Sequence, residues 1–439
     1  MSDIRVIKAA KLIDGTGETV AQPHVVIQDN RIEEVGPADA VAVPSGAEVI
    51  DVGDCTIMPG LIDTHVHLGA LNCTSFGTAR IARFEITPQL QSFYALFHAQ
   101  ICFEMGFTTM RDAGRGTPRG DFAEEMCAVR DAINNGIIAG PRLLILAECV
   151  ITGAHLEILT MPRAMRRPEG MTADGPWELR KKVRELIRGG ADGIKTSVTG
   201  GVSLGTDPSV RNMTQEELDA IVDEAHAFNK PVAVHCFTPE GLHMCVDAGV
   251  DTIEHMVYSD DESIARVGES GIWVVPTLLN RIDYAIDQNV LQGMPPKLIE
   301  TQRAMKPYCF DTFRRMKAAG VRIAMGTDIH NVPEMGCAAR ELEIYVDEGM
   351  TPMESIQTAT RDAAVAIGLG DSVGTIEPGK SADIIAVRGD PLDDVRVLQE
   401  ANNIGMVMKE GGVYVDRLAD SQKFVRHPEP GSWRKIDCE

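Results

Sequence analysis

The sequence predicts an α/β protein: a (β/α)8 TIM barrel carrying a small β-sandwich domain formed by the N- and C-terminal segments of the chain. Three observations lead there. Eight short apolar runs in the middle of the chain alternate with helical stretches, the pattern of a parallel barrel. Both ends have a different texture, short alternating segments broken by Gly, Asn and Asp. At 439 residues, the chain is also long enough for one large domain and a smaller one.

The elements follow in order. Residues 1–57 carry "IRVIKAAKLIDGTG", "HVVIQDNRIEEVG" and "AEVIDVGDCTIMPG", which read as antiparallel strands and hairpins. Residues 58–367 would form the barrel. Its candidate strands are "TIMPGLIDTHV", "FTTMRDAG", "RLLILAECVITG", "DGIKTSV", "PVAVHCF", "DTIEHMV", "WVVPTLL" and "RIAMGTD". The clearest helix between them is "MTQEELDAIVDEAHAFN", where Thr214 caps the start and Glu217 completes a capping box. Residues 368–418 return to strand texture in "VGTIEPGKSADIIAVRGDPL" and "NNIGMVMKEGGVYV". The barrel is then an insertion in a domain made by both ends, as close-lying termini allow. The polar, Pro-containing segment 419–439 reads as an extension packed on the surface or on a neighbouring subunit.

Composition excludes several function classes. A chain with 44% hydrophobic and 24% charged residues is an ordinary globular one. No apolar run is long enough to cross a bilayer. The opening "MSDIRVIKAAKLIDG" breaks its apolar residues with Asp, Arg and Lys, so it does not read as a secretory signal and a cytoplasmic location is expected. The 10 cysteines form no C-x-x-C pair and read as reduced core fillers. A formal charge of −22 argues against nucleic acid as a partner. The expected partners are a small-molecule substrate and further copies of the chain in a homo-oligomer, with no membrane.

Chemistry gathers at the strand ends. In "DTHVH", residues i and i+2 of a strand share a face, so His65 and His67 converge on one point. "PVAVHCF" ends on His235 and "DTIEHMV" on His255, while "DGIKTSV" carries Lys195 and "RIAMGTD" ends on Asp328. Each has an ordinary explanation: a satisfied core histidine, a snorkelling lysine, an aspartate capping the next helix. Four His, one Lys and one Asp at successive strand ends, where barrel enzymes keep their chemistry, instead point to divalent metal. Arg111 in "FTTMRDAG" and His155 in "VITGAH" also sit just beyond strands. Their plainer readings are an ion pair of Arg111 with Asp112 or another acid, and a loop histidine. His330, two residues after Asp328, could face the same cleft. The Gly-rich "TGGVSLG" reads as a place where backbone approaches substrate.

Two other motifs are set aside. Gly201-Val202-Ser203-Leu204-Gly205 fits the G-x-S-x-G elbow of a serine hydrolase, but the strand before it has ended and a proline stands where the helix should begin. "GRGTPRG" lacks the spacing of a phosphate loop and reads as a turn.

In type and order, His65-x-His67, Lys195, His235, His255 and Asp328 resemble the binuclear metal site of the amidohydrolase superfamily. "MPGLIDTHVHLG", "IEHMV", "MGTD" and "GTIEPGKSADIIAV" look like that family's signatures, and the resemblance covers nearly the whole chain. "GADGIKTSVTGG" and "AVHCFTPEGL" are similar to the branch holding metal-dependent prolidases and imidazolonepropionase-like proteins. The resemblance implies two divalent metal ions per subunit, zinc first, with cobalt, manganese or nickel as alternatives. His65 and His67 would bind the buried ion, His235 and His255 the more exposed one. Lys195 would be N-carboxylated and bridge both, and Asp328 would bind the buried ion and act as the catalytic proton carrier.

The implied reaction is hydrolysis of a linear C–N amide-type bond in a dipeptide, N-acyl amino acid or aryl amide, by attack of a metal-bridging hydroxide. Carbamate, thiocarbamate or phenylurea hydrolysis is the alternative, and cyclic-amide opening of the imidazolonepropionase type the third. Arg111, His155, Phe237 and His330 would hold substrate. One departure matters: where many relatives carry Tyr or His, this chain has Phe237, which offers no hydroxyl to a substrate carbonyl. "TGAHLEILT" is likewise less glycine-rich than the usual form, and both changes admit a more apolar substrate. A non-catalytic member of the same fold would lack several ligands, whereas all six candidates are present.

Overall fold

The structure, a computed structural model, describes residues 4–71, 73–114, 123–155, 157, 171–202, 205–330, 335–419 and 422–426. The chain enters through seven strands: β1 (Ile4–Lys8), β2 (Lys11–Ile13), β3 (Thr19–Ala21), β4 (Pro23–Gln28), β5 (Arg31–Pro37), β6 (Glu48–Asp51) and β7 (Thr56–Pro59). The central part supplies β8 (Leu61–Val66), β9 (Phe107–Asp112), β10 (Arg142–Glu148), β11 (Gly193–Ser197), β12 (Val232–Cys236), β13 (Thr252–His255) and β14 (Trp273–Val275). The chain leaves through β15 (Ile384–Val387), β16 (Ile404–Lys409) and β17 (Gly412–Asp416).

Both ends share one sheet. A four-stranded sheet runs β5-β4-β1-β6, and a six-stranded sheet runs β17-β16-β15-β7-β2-β3. In the second, β7 lies between β2, parallel to it, and β15, antiparallel to it. The apolar positions make a common core in which Ile7, Val25 and Ile57 from the start of the chain pack with Ile384, Met406 and Met408 from its end.

The barrel is a seven-stranded sheet in the order β14-β13-β12-β11-β10-β9-β8, each strand parallel to its neighbours. The eighth expected strand, "RIAMGTD", closes the ring without forming a regular ladder. It touches both edges through single parallel bridges, Val274 to Ile323 and Val66 to Ile329. Around them, Ala324 N–H donates to Val274 O at 2.9 Å and Thr64 N–H to Met325 O at 3.0 Å. The ladder breaks because Met325 N–H goes out to Thr358 O and Asp328 turns into the left-handed region at φ 56°.

The other strands are also shorter than the expected runs, and two of them are cut by a specific break. "TIMPGLIDTHV" is two strands: β7 belongs to the terminal sheet and β8 to the barrel. The junction is Gly60, where a Cβ would lie 2.1 Å from Thr108 Oγ1. The expected boundary after residue 57 thus falls inside β7. In "WVVPTLL" the strand stops at Val275, because Pro276 has no N–H and Thr277 adopts φ 53°, leading into a 3-10 turn, Leu278–Arg281. The helix Gln215–Ala227 starts as expected, with the Thr214–Glu217 capping box formed in both directions. Among the described residues, no helix is long and apolar enough to cross a membrane.

Of the expected extension, residues 419 and 422–426 are described. Lys423 bridges to Asp416, and the Val425 and Arg426 N–H groups donate to the buried Glu104 carboxylate, which the Arg426 guanidinium also meets at 2.7 Å.

Candidate metal centre

The six strand-end residues meet at one mouth of the barrel. His65 is the penultimate residue of β8, with His67 just beyond the strand; Lys195, His235 and His255 come from β11, β12 and β13, and Asp328 from the closing segment. Donor atoms of His65, His67 and Asp328 all lie within 4.8 Å of one another. His67 Nε2 is 3.0 Å from Asp328 Oδ1, and His65 Nε2 is 3.7 Å from it. The His255 ring lies 5.2 Å from that of His65 and 4.7 Å from that of His235, centroid to centroid. The rings therefore form one continuous row. Lys195 is only 3% exposed, and its Nζ has no hydrogen-bond partner among the described residues.

Burial keeps three of the imidazoles neutral. Burial first, and then the charge of Lys195, pull His65 down to about 4. Burial likewise holds His235 and His255 well below the usual histidine value. Burial also lowers Lys195 to about 8. Asp328 behaves oppositely: burial would raise it, but the His67 bond and the nearby imidazoles hold it well below the ordinary carboxylate range. His65, His235 and His255 are thus neutral nitrogen donors near an ionised carboxylate.

The far nitrogens are held in place. His65 Nδ1 lies 2.5 Å from Glu254 Oε2, and His255 Nδ1 lies 2.7 Å from Thr277 Oγ1. His67 Nδ1 meets Gly114 O, and His235 Nε2 lies 3.1 Å from Gly200 O. Such outer contacts fix which nitrogen of each ring faces inward. Asp63, the first residue of "DTHVH", accepts from His65 N–H and from Thr327 N–H and Oγ1, tying β8 to the segment that carries Asp328.

Arg111, expected to hold substrate, stands elsewhere. It is 2% exposed, and its guanidinium donates to Thr64 O at 2.6 Å, Thr252 Oγ1 at 3.2 Å and Glu254 Oε1 at 2.9 Å. Its geometry is that of the ion-pair reading, with Glu254 as the acid in place of Asp112. Glu254 itself escaped the sequence. The signal was the period of two along "DTIEH", which aims Thr252 and Glu254 at one face while His255 swings round at φ 78°.

The remaining expected residues divide. His155 stacks on His235 at 4.3 Å, and its Nδ1 is buried without a partner among the described residues. Gly201 makes room for it, since a Cβ there would lie 2.2 Å from the His155 ring. The glycine thus leaves space for a side chain. Phe237 is 1% exposed and packs on His235 at 4.3 Å and His255 at 5.4 Å, behind the row of rings. His330 is partly exposed, with Nδ1 2.8 Å from Asp328 O. Ser203 and most of "GRGTPRG" lie outside the described residues.

The donor set fits a divalent-metal centre. Neutral imidazole with carboxylate is the chemistry that zinc and its neighbours prefer. Among the described residues His65, His67 and Asp328 form the donor cluster, and the buried Lys195 amine, without a hydrogen-bond partner there, is available as a further donor.

A parallel barrel with imidazoles and a carboxylate gathered at its strand ends defines a barrel enzyme. The signature of the amidohydrolase family matches residues 56–414, and the chain belongs to that family. It is 31% identical to ochratoxinase of Aspergillus niger, over 94% of this chain and 86% of that protein. Among solved structures, it resembles a Xaa-Pro dipeptidase with methionine bound in its active site: TM-score 0.84, 34% identity, covering 94% of this chain and 100% of that one. It also resembles phenylurea hydrolase B, with TM-score 0.72 and 25% identity over 97% of this chain and 100% of that one. The protein is a hydrolase acting on carbon–nitrogen bonds.

Proposed function

We propose that the protein is a metal-dependent amidohydrolase that cleaves the linear amide bond of a dipeptide, N-acyl amino acid or aryl amide. The observation that carries this reading is the convergence of His65, His67 and Asp328 within 4.8 Å, continued by His255 and His235 and faced by an unpartnered buried lysine. The Xaa-Pro dipeptidase, at 34% identity, supports a peptide-like substrate.

His65, His67 and Asp328 would hold one ion, and His235 and His255 a second. When bound, such ions lower the pKa of water and polarise a carbonyl. Lys195 is suited to become the shared ligand. With its pKa brought down to about 8, a fraction of its amine is uncharged near neutrality. That amine can add to carbon dioxide, forming a C–N bond and releasing a proton to give an anionic carbamate. Asp328, held ionised, can take a proton from water at its carboxylate and deliver it to the leaving nitrogen. Glu254 and Arg111 orient His65 from behind.

A second reading, carbamate or urea hydrolysis, is favoured by Phe237, which supplies no hydroxyl at a position beside two of the rings. The similarity to phenylurea hydrolase B also supports it. The deciding experiment is a screen of zinc- or cobalt-loaded protein against dipeptides, N-acyl amino acids, anilides, phenylureas and carbamates. Turnover of the first three groups is expected, and turnover confined to ureas and carbamates would select the second reading. Protein purified without chelator should carry about two divalent ions per chain, and fewer than about one would count against both. Lys195→Ala should lose metal together with activity; full activity in that variant would remove the lysine from the mechanism.

A further inference from the structure

One buried carboxyl group lies outside the row of rings and holds a turn that touches two of the proposed ligands. Glu341, in the helix Arg340–Asp347, is fully buried. Its two oxygens accept the Leu278 N–H at 2.7 Å and the Leu279 N–H at 2.6 Å. These amides open the 3-10 turn Leu278–Arg281 that follows β14. A short turn of this kind has few internal bonds to fix it, so an outside acceptor for its first N–H groups sets its position.

The turn carries two contacts toward the site. Just before it, Thr277 Oγ1 meets His255 Nδ1 at 2.7 Å. Within it, Asn280 Nδ2 donates to Asp328 O at 2.6 Å. Both recipients are themselves in left-handed backbone, His255 at φ 78° and Asp328 at φ 56°, and so is Thr277 at φ 53°. A β-branched residue avoids that region, so this conformation persists only where its surroundings impose it. The Glu341 carboxyl group accepts from the next two amides and so sits where it can hold the turn.

We propose that Glu341 is a positioning residue which, through the Leu278 and Leu279 amides, locks the Thr277–Asn280 turn and so orients His255 and Asp328 together. The inference rests on the metal-site reading of those two residues. His255 and Asp328 are assigned to different ions, so a single clamp on one turn serves both halves of the centre. Glu254, by contrast, is hydrogen-bonded among the described residues to one ligand, His65.

The test uses full-length Glu341→Gln and Glu341→Ala. Gln keeps one acceptor oxygen and turns an NH2 toward the other amide; Ala removes both acceptors. Metal retention is titrated with a competing chelator, alongside thermal unfolding and steady-state kinetics on the best substrate from the screen. In Glu341→Gln, the chelator midpoint should fall about 10-fold and kcat should drop by about 10-fold, with KM within about twofold. The effects should be larger in Ala, within the roughly 10–100-fold range of outer-shell substitutions. If Ala does not fold, Gln decides. Variants with a lower Tm whose folded fraction keeps the wild-type chelator midpoint and kcat overturn the proposal. A wild-type protein that holds no divalent ion overturns the metal reading instead, and the split between kcat and KM in the variants still decides the clamp.

Discussion

Arg111 and Glu254 show what residue identity can and cannot reveal. A histidine, lysine or aspartate at the end of an apolar run is visible because nothing local explains it; His65, His67 and Asp328 cluster within 4.8 Å, and the His255 and His235 rings continue the row. Arg111 was equally visible, but its purpose was not. Whether a guanidinium faces substrate or a buried acid depends on a residue 143 positions away. Removing one partner of a buried pair leaves the other charge uncompensated, so Arg111→Ala should cost about 3–5 kcal/mol in stability, measured by urea unfolding. Arg111→Lys should rescue little, because one ammonium cannot reach Thr64 O, Thr252 Oγ1 and Glu254 together.

Glu341 gives a pH prediction at the same scale. Burial raises its carboxyl from an ordinary 4.5 to about 8, despite the two amides that favour the ionised form. The folded state therefore binds a proton that the unfolded state releases. That contribution is complete below about pH 4.5 and is lost as pH rises through about 8. Wild type should thus lose part of its stability relative to Glu341→Gln between pH 6 and pH 9, seen as a narrowing gap in Tm. A gap that widens with pH would contradict the sign.

At the level of elements, the periodic segments were legible and the breaks were not. The helix Gln215–Ala227 announced itself by its capping box, and the run "PVAVHCF" by its valines. The run "TIMPGLIDTHV" is apolar throughout, so only the Pro-Gly pair hinted that one strand belongs to two sheets. The reason is a close approach: Gly60 passes directly over the Thr108 side chain. Gly60→Ala should destabilise by about 1–3 kcal/mol through overpacking. Thr108→Ala removes the two nearest atoms, so the double variant should be more stable than the sum of the single effects, read from paired urea midpoints. The closing segment was legible as a strand by composition. Its isolated bridges were not, because they depend on Thr358 taking the Met325 amide.

For the whole molecule, the shared texture of the two ends was the legible sign that they build common sheets. Which strands pair was not, since β7 chooses partners from opposite ends of the chain. A chain ending at residue 383 would lack β15, β16 and β17 and leave the β7 edge unpaired. Exposed edges of apolar strands associate, so that truncation should give soluble aggregates or precipitate in size-exclusion chromatography rather than a smaller folded protein.

The placement of β7 also orders events in time. On the ribosome, β1 to β7 emerge first, yet β15 follows only after roughly 300 further residues, or roughly half a minute at about 10 residues per second. Throughout that interval one side of β7 waits without its neighbour, and the strand that bears His65 hangs from it through Gly60. Completion of the sheet from which β8 hangs is therefore set by arrival of the last strands rather than by synthesis of the barrel.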